Sequence, residues 1–160
     1  MLLYSLSTLA METDPVNPNQ TALYIGGTTG SDNIALTPAI VNGSAVYGVK
    51  VGMNGVNYGN FFPTGHVVVY SQTGSDIVKT AAQTINGVLT YVSVPVMFFA
   101  GNGNDILNVI GSSANNILVG GGGTDRLLGG QGRDILIGGG PSHAQRRRWR
   151  RHSDRRHNRI

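Results

Sequence analysis

The feature that most constrains this chain is a nine-residue unit, rich in glycine and aspartate, that repeats in tandem near its C-terminal end. One copy runs from Gly120 to Leu128, and the next follows without a gap from Gly129 to Ile137. Each copy has a glycine-rich loop followed by a short apolar segment, and a period of nine does not match the turns of a helix. The tandem therefore predicts a flattened coil in which glycine loops alternate with short strands.

The same register extends beyond the tandem. An upstream copy spans residues 100–108. Between this copy and the tandem lies a weaker unit, with Asn116 where aspartate is expected. The shorter pattern Gly-x-Asp-x-apolar occurs five times, at Asp32, Asp76, Asp105, Asp125 and Asp134. For the isolated copies at Asp32 and Asp76 the favoured interpretation is that aspartate acts only as a turn former. In the closely spaced units, we expect an inward ladder of Leu107, Leu118, Leu127 and Leu136.

The rest of the chain also favours β-structure, because charged residues make up only 12% and there are 24 glycines. Asn54-Gly55 predicts a two-residue hairpin, and Asn86-Gly87 predicts another turn. We therefore expect an all-β fold, with a parallel β-roll or β-solenoid over about residues 100–139 and an irregular region of strands and hairpins before it. The expected segments are a linker or truncated upstream junction at 1–19, the irregular β region at 20–99, the roll at 100–140 and a basic, disordered tail at 141–160.

The loops of the roll carry the ligands that calcium prefers. Calcium takes six to eight oxygens from carboxylates and backbone carbonyls. A single loop offers too few of them, so a site needs a second loop stacked beside the first. With two nonapeptides in each turn, Asp105 should face Asp125 on one edge, and Asn116 should face Asp134 on the other. The second pair has one carboxylate and should bind more weakly.

These units resemble the RTX, or hemolysin-type, calcium-binding repeat, with the pattern Gly-Gly-x-Gly-x-Asp-x-(large apolar)-x. The resemblance implies a parallel β-roll, folding triggered by calcium outside the cell, and export without a cleaved N-terminal signal. Two departures are Ala100 in place of the first glycine and Asn116 in place of an aspartate, so we expect one or two calcium sites. Matched by position, the implied ligands are Gly101, Gly103, Asp105, Gly121, Gly123, Asp125, Gly130, Gly132 and Asp134.

The basic tail needs a separate explanation, because residues 1–140 carry a net charge of −3 whereas the tail holds eight arginines and one aspartate. Clustered arginine can bind nucleic acid, and an inert terminus is the plainer alternative. The favoured hypothesis is a frameshift near Gly140, because reading CGN-type arginine codons one nucleotide later gives another nonapeptide. No nucleic-acid partner is therefore expected.

Features typical of enzymes and membrane proteins are missing from the sequence. It contains no His-Glu-x-x-His, no Gly-x-Ser-x-Gly and no cysteine, and its apolar run at 1–10 is too short for a membrane span. His66 is expected to be structural. The sequence thus predicts a non-enzymatic, extracellular (secreted or cell-surface) calcium-binding module, a fragment of a larger protein that contacts surface proteins or polysaccharide. The alternatives are a structural or adhesive module stiffened by calcium and a fragment of a β-helical polysaccharide-active enzyme.

Overall fold

The computed structural model describes residues 8–140 and the backbone of residues 143–145. This part of the chain contains strands and turns without a helix, which confirms the expected all-β class. None of its segments is a helix with the length and apolar character needed to cross a membrane. The strands, in chain order, are β1 Thr8–Thr13, β2 Thr21–Gly26, β3 Asn33–Val41, β4 Ser44–Met53, β5 Val56–Phe61, β6 Val67–Tyr70, β7 Ile77–Thr80, β8 Gln83–Ile85, β9 Val88–Thr90, β10 Val96–Asn102, β11 Ile106–Asn108, β12 Ile117–Gly122, β13 Arg126–Leu128, β14 Ile135–Gly139 and β15 His143–Gln145.

The strands form two larger sheets and one separate hairpin. The first sheet has the order β1-β2-β6-β10-β12-β14, and the second has the order β15-β13-β11-β7-β3-β4-β5. Strands β2, β6, β10, β12 and β14 pair in parallel in the first sheet, as do β3, β7, β11, β13 and β15 in the second. The chain therefore alternates between the two sheets, and it extends both in the same direction.

The core lies between the inward faces of the two sheets. Alternate strand residues point inward, and the buried cluster includes Leu23 and Phe98 together with the central leucines of the nonapeptides. Leu107 pairs with Leu127 in the second sheet, and Leu118 pairs with Leu136 in the first. The predicted inward leucines thus form two facing ladders, with Leu136 only partly buried.

Antiparallel hairpins interrupt this alternation. The hairpin predicted at Asn54-Gly55 joins β4 to β5, and the turn at Asn86-Gly87 joins β8 to β9. Both residues of each turn have positive φ, between 50° and 80°, which is the backbone of the turn that best fits strand twist. The hairpin β3–β4 turns in the same way at Asn42-Gly43.

The structure corrects the expected segment boundaries. Residues 8–13, assigned to a linker, form β1, which pairs antiparallel with β2 because an open sheet edge accepts another strand. The region 20–99 is not separate from the repeats, since β10 crosses that boundary and both sheets continue through it. In the tail, the backbone of His143–Gln145 pairs with β13 rather than being disordered. The remaining part of the basic tail, and the site of the hypothesised frameshift beyond Gly140, lie outside the described residues.

Candidate functional site

Four loops of equal length, all within residues 8–140, line one edge of the molecule, which we name the first edge. They are residues 27–32, 71–76, 100–105 and 120–125, and each leads from the first sheet to the second. In the last two, the first three residues also form the ends of β10 and β12. Strand register sets their length at both ends. The residues before the loops are aligned across the first sheet, namely Gly26, Tyr70, Phe99 and Val119, and those after the loops are aligned across the second, namely Asn33, Ile77, Ile106 and Arg126. Each loop therefore has six residues, with glycine at the fourth position and aspartate at the sixth.

The glycines on the first edge are required by close backbone contact. A β-carbon on Gly103 would overlap the carbonyl oxygen of Gly74, and one on Gly123 would overlap that of Gly103. Their φ angles of 152° and 113° also disfavour any residue with a side chain. The loops therefore stack with their backbones in contact, and the carbonyl oxygens of Gly30, Gly74 and Gly103 each face the fourth-position glycine of the next loop.

The four aspartates of these loops form a second column, which we name the aspartate ladder: Asp32, Asp76, Asp105 and Asp125. The backbone N–H of each aspartate donates to the Oδ1 atom of the next, with N···O distances of 2.8, 2.7 and 3.1 Å. All four side chains are buried. The predicted contact between Asp105 and Asp125 is confirmed. Asp32 and Asp76, which the sequence presents as isolated copies, belong to the same ladder, and the Asp32 carboxylate also accepts the local hydrogen bonds of a turn former.

Each of the two middle carboxyls of the ladder, Asp76 and Asp105, has one oxygen that accepts no hydrogen bond. The Oδ2 atom of each is buried and has no hydrogen-bond partner among the described residues. Burial raises the pKa of Asp105, and the charges of Asp76 and Asp125 raise it further, against the hydrogen bond from the Asp76 N–H. Burial likewise raises the pKa of Asp76, and the charge of Asp32 adds to the effect, against the hydrogen bond from the Asp32 N–H and the nearby Ser71 hydroxyl. Because the Ser71 hydroxyl donates to the Ala100 carbonyl at 3.0 Å, Asp76 Oδ2 still has no donor of its own in the described part of the chain. Buried anions without compensation are unstable, so these two oxygens suit a bound cation.

The end of the ladder at Asp32 differs from its middle. The Asp32 carboxylate accepts hydrogen bonds from Thr28 N–H at 2.6 Å and from Asn54 Nδ2 at 2.7 Å, as well as from the Thr28 hydroxyl. The protein itself thus satisfies the Asp32 carboxylate. The oxygens still open to a ligand lie further along the ladder, next to the predicted residues Gly101, Gly103, Gly121 and Gly123.

The opposite edge, which we name the second edge, holds the predicted pair Asn116 and Asp134. The Asn116 N–H and Nδ2 donate to Asp134 Oδ1 at 3.0 and 2.9 Å, and the Gly130 N–H donates to Asp134 Oδ2 at 2.7 Å. The predicted contact is confirmed, but these donors occupy both carboxylate oxygens. Gly130 and Gly132 lie against the carbonyl oxygens of Val109 and Ala114, where a β-carbon would overlap them.

Sequence reasoning missed one further pair near the second edge. Asp14, assigned to the linker, is buried, and its Oδ2 atom lies 2.7 Å from His66 Nδ1. Although burial raises the pKa of Asp14, hydrogen bonds from the His66 side chain and from backbone N–H groups lower it to about 2. The pair ties the segment after β1 to the loop before β6, so the described contacts of His66 are structural.

Within residues 8–140, no three His, Asp or Glu side chains come together in a group able to hold a metal ion. A cation at the first edge would therefore need backbone carbonyl oxygens for most of its ligands, with a few carboxylates beside them. That mixture suits calcium better than zinc, which prefers nitrogen and sulfur. Comparisons with protein-family models, with curated proteins and with solved structures gave no match to this chain.

Proposed function

We propose that this chain is a non-enzymatic, extracellular calcium-binding module of the RTX type, belonging to a larger secreted or surface protein. The observation that carries the proposal is the pair of buried, unpartnered Oδ2 atoms at Asp76 and Asp105. They lie in stacked glycine loops whose carbonyl oxygens are the other ligands that calcium uses.

The proposed fold is a parallel β-roll, with one strand of each sheet in every coil. The parallel pairing of five successive strands in each of the two sheets supports it. In such a roll, loops of neighbouring coils lie side by side at the edge. Each calcium ion is then shared by two coils, and it links them more tightly than the hydrogen bonds alone.

The residues proposed to hold calcium lie between the last three loops of the first edge. The carboxylates of Asp76, Asp105 and Asp125 supply charge, and the backbone around the predicted glycines Gly101, Gly103, Gly121 and Gly123 supplies carbonyl oxygens. Gly130, Gly132 and Asp134 on the second edge form the weaker candidate, since N–H donors already satisfy the Asp134 carboxylate. The additional carboxylate of Asp76 allows two inter-coil sites on the first edge.

The proposed role of calcium is to complete the fold outside the cell. Without the ion, the middle carboxyls must be either protonated or charged and desolvated, and both states cost stability. Sites of this kind in extracellular modules have dissociation constants of about 10⁻⁴–10⁻³ M, so they fill in calcium-rich surroundings. A roll stiffened in this way also suits a structural or adhesive module that contacts surface proteins or polysaccharide.

Calorimetric titration of the metal-free protein with calcium tests the proposal. We expect saturable binding of one or two ions in the sub-millimolar to millimolar range, with a rise in the β-content measured by circular dichroism. Magnesium should bind more weakly, because it needs near-octahedral geometry and gives up water reluctantly. Heat, β-content and melting temperature that all stay unchanged on adding calcium would exclude the proposal.

A further inference from the structure

Both lysines of the chain line one cleft, whose other lining residues include Asn33, next to Asp32 of the first edge. The sequence contains only Lys50 and Lys79, and both border a cleft of about 420 Å³ on the outward face of the second sheet. No carboxylate lines this cleft. Because residues 1–140 carry a net charge of −3, general basicity of this region does not explain the pair.

The floor of the cleft is made of small residues. Ala35 on β3 pairs with Lys79 on β7 and with Gly52 on β4, and Thr37 pairs with Lys50. Lys79 and Lys50 lie on the strands at either side of β3, and their partners on β3 are two residues apart. Two strand spacings and a two-residue offset put the lysine Cα atoms about 12 Å apart. Their long, flexible side chains can therefore reach towards one ligand lying on the floor between them.

The two lysines have no structural task among the described residues. No ion pair or hydrogen bond of either ammonium group is found there. Lysine is often placed on an edge strand to prevent association of sheets. That explanation does not apply here, because β4 and β7 both have a partner strand on each side.

The remaining lining residues indicate what kind of anion fits. Asn33, Asn57, Gln83 and Thr37 also line the cleft, and their amides and hydroxyl can both donate to and accept from hydroxyl groups. The backbone N–H groups of the floor donate to neighbouring strands of the sheet. They are therefore not free to bind a phosphate, which proteins usually hold through such groups. The volume is within the range of small-ligand sites.

We propose that this cleft binds a sugar acid, with the carboxylate of the ligand between Lys50 and Lys79 and its hydroxyl groups on the amide side chains. The ring would lie flat on Ala35 and Gly52. This proposal does not depend on calcium binding, since none of the residues named for calcium lines the cleft.

The lysine content makes a direct test possible. In the full chain labelled only at lysine side chains, the NMR spectrum contains two sets of signals, one from each lysine. We expect glucuronate to shift both sets with one shared dissociation constant, whereas glucose, which lacks the carboxylate, leaves them unchanged. Raising the salt concentration should weaken binding, because these charges are partly exposed.

Lys50→Gln should weaken glucuronate binding about fivefold, read from the signals of Lys79, since one partly exposed ion pair is lost. Arg126→Gln is the matched control, because Arg126 is an exposed cation of the same sheet outside the cleft, and it should leave the affinity unchanged. Equal shifts with glucose and glucuronate, or no shift at millimolar glucuronate, would overturn the proposal. Sulfate binding as tightly as glucuronate would also overturn it, because the cleft would then be a general anion site.

Discussion

Replacing Asp105 with asparagine should make the metal-free protein more stable while weakening its response to calcium. Asparagine keeps the shape of the side chain and an oxygen to accept the Asp76 N–H, which lies 2.7 Å from Asp105 Oδ1. It removes the charge on a buried carboxylate whose Oδ2 atom has no partner. The two effects have opposite signs because the same charge that is unfavourable without calcium attracts the ion when it is present.

The size of the metal-free effect follows from the spacing of the coils. Adjacent strands lie about 4.8 Å apart, and two unit charges at that distance repel by about 3.5 kcal/mol at an effective dielectric constant of about 20. Against this, the new buried amide N–H₂ costs about 1–3 kcal/mol where it finds no acceptor. We therefore expect Asp105→Asn to raise the metal-free free energy of unfolding by about 0.5–2.5 kcal/mol.

The calcium effect can be estimated in the same way. At a calcium concentration of about 100 times the dissociation constant, one site stabilises the wild-type protein by about 2.7 kcal/mol. A site that has lost one carboxylate and binds about tenfold more weakly contributes about 1.4 kcal/mol at the same concentration. The calcium-dependent increase in stability should therefore fall by about half.

Urea unfolding followed by far-ultraviolet circular dichroism, in chelator and in calcium, measures both quantities for the two proteins. Magnesium at equal ionic strength controls for screening of charge. If Asp105→Asn destabilises the protein in chelator and keeps the full calcium response, then Asp105 acts only as a turn former and hydrogen-bond acceptor. The reasoning about its open oxygen would then be refuted.

Three further predictions concern the loops and the buried carboxyls. Asp134→Asn should lower metal-free stability by about 1–3 kcal/mol in urea unfolding, which is opposite in sign to Asp105→Asn. Both Asp134 oxygens accept from N–H groups, so the N–H₂ group of the new asparagine must face one of these donors. An increase in stability would contradict the assigned hydrogen bonds. Gly103→Ala should lower the free energy of unfolding by at least about 2 kcal/mol, because the new β-carbon meets the carbonyl oxygen of Gly74. Gly43→Ala is the control for backbone strain alone, because Gly43 has a positive φ of 76° and open space around it. Equal losses of stability in the two variants would show that the loops are not in contact. The middle carboxyls have raised pKa values, so metal-free stability should fall as the pH rises from 3.8 through their folded-state values. Asp14, with its pKa lowered to about 2, should add stability that is present above pH 3.8 and lost as the pH falls towards 2. Urea unfolding across this range should therefore show greatest metal-free stability in mild acid, and a plateau from mild acid to neutrality would argue against the raised pKa values.

The sequence predicted the local structure of the tandem better than the extent of the sheets. Loop and strand follow each other within nine residues, so Leu107 and Leu127 could be assigned to inward positions from the pattern alone. The steps along the aspartate ladder are 44, 29 and 20 residues, and only the last reflects two adjoining repeats. The hairpins β4–β5 and β8–β9 lengthen the first two steps, so no fixed period connects Asp32 and Asp76 with the repeats. Their shared role becomes visible only when the strands are paired in space.

The positions of these inserted hairpins indicate at which edge of the molecule the length of the loops is constrained. Both insertions follow a strand of the second sheet and precede the return to the first sheet. The β4–β5 turn at Asn54-Gly55 reaches back to the Asp32 end of the first edge, but neither insertion lies within a loop that leads from the first sheet to the second. The four first-edge loops that lie wholly within residues 8–140 all keep six residues. Hydrophobic packing between the sheets gives no reason for this difference, because either edge could carry an insertion without disturbing the core. Stacked carbonyls and carboxylates do give one, since a single added residue would move Asp105 out of line with Asp76 and Asp125. The equal length of these four loops is therefore what the proposed ligand shared between coils would require, and it supports the first edge as the place of the proposed calcium sites.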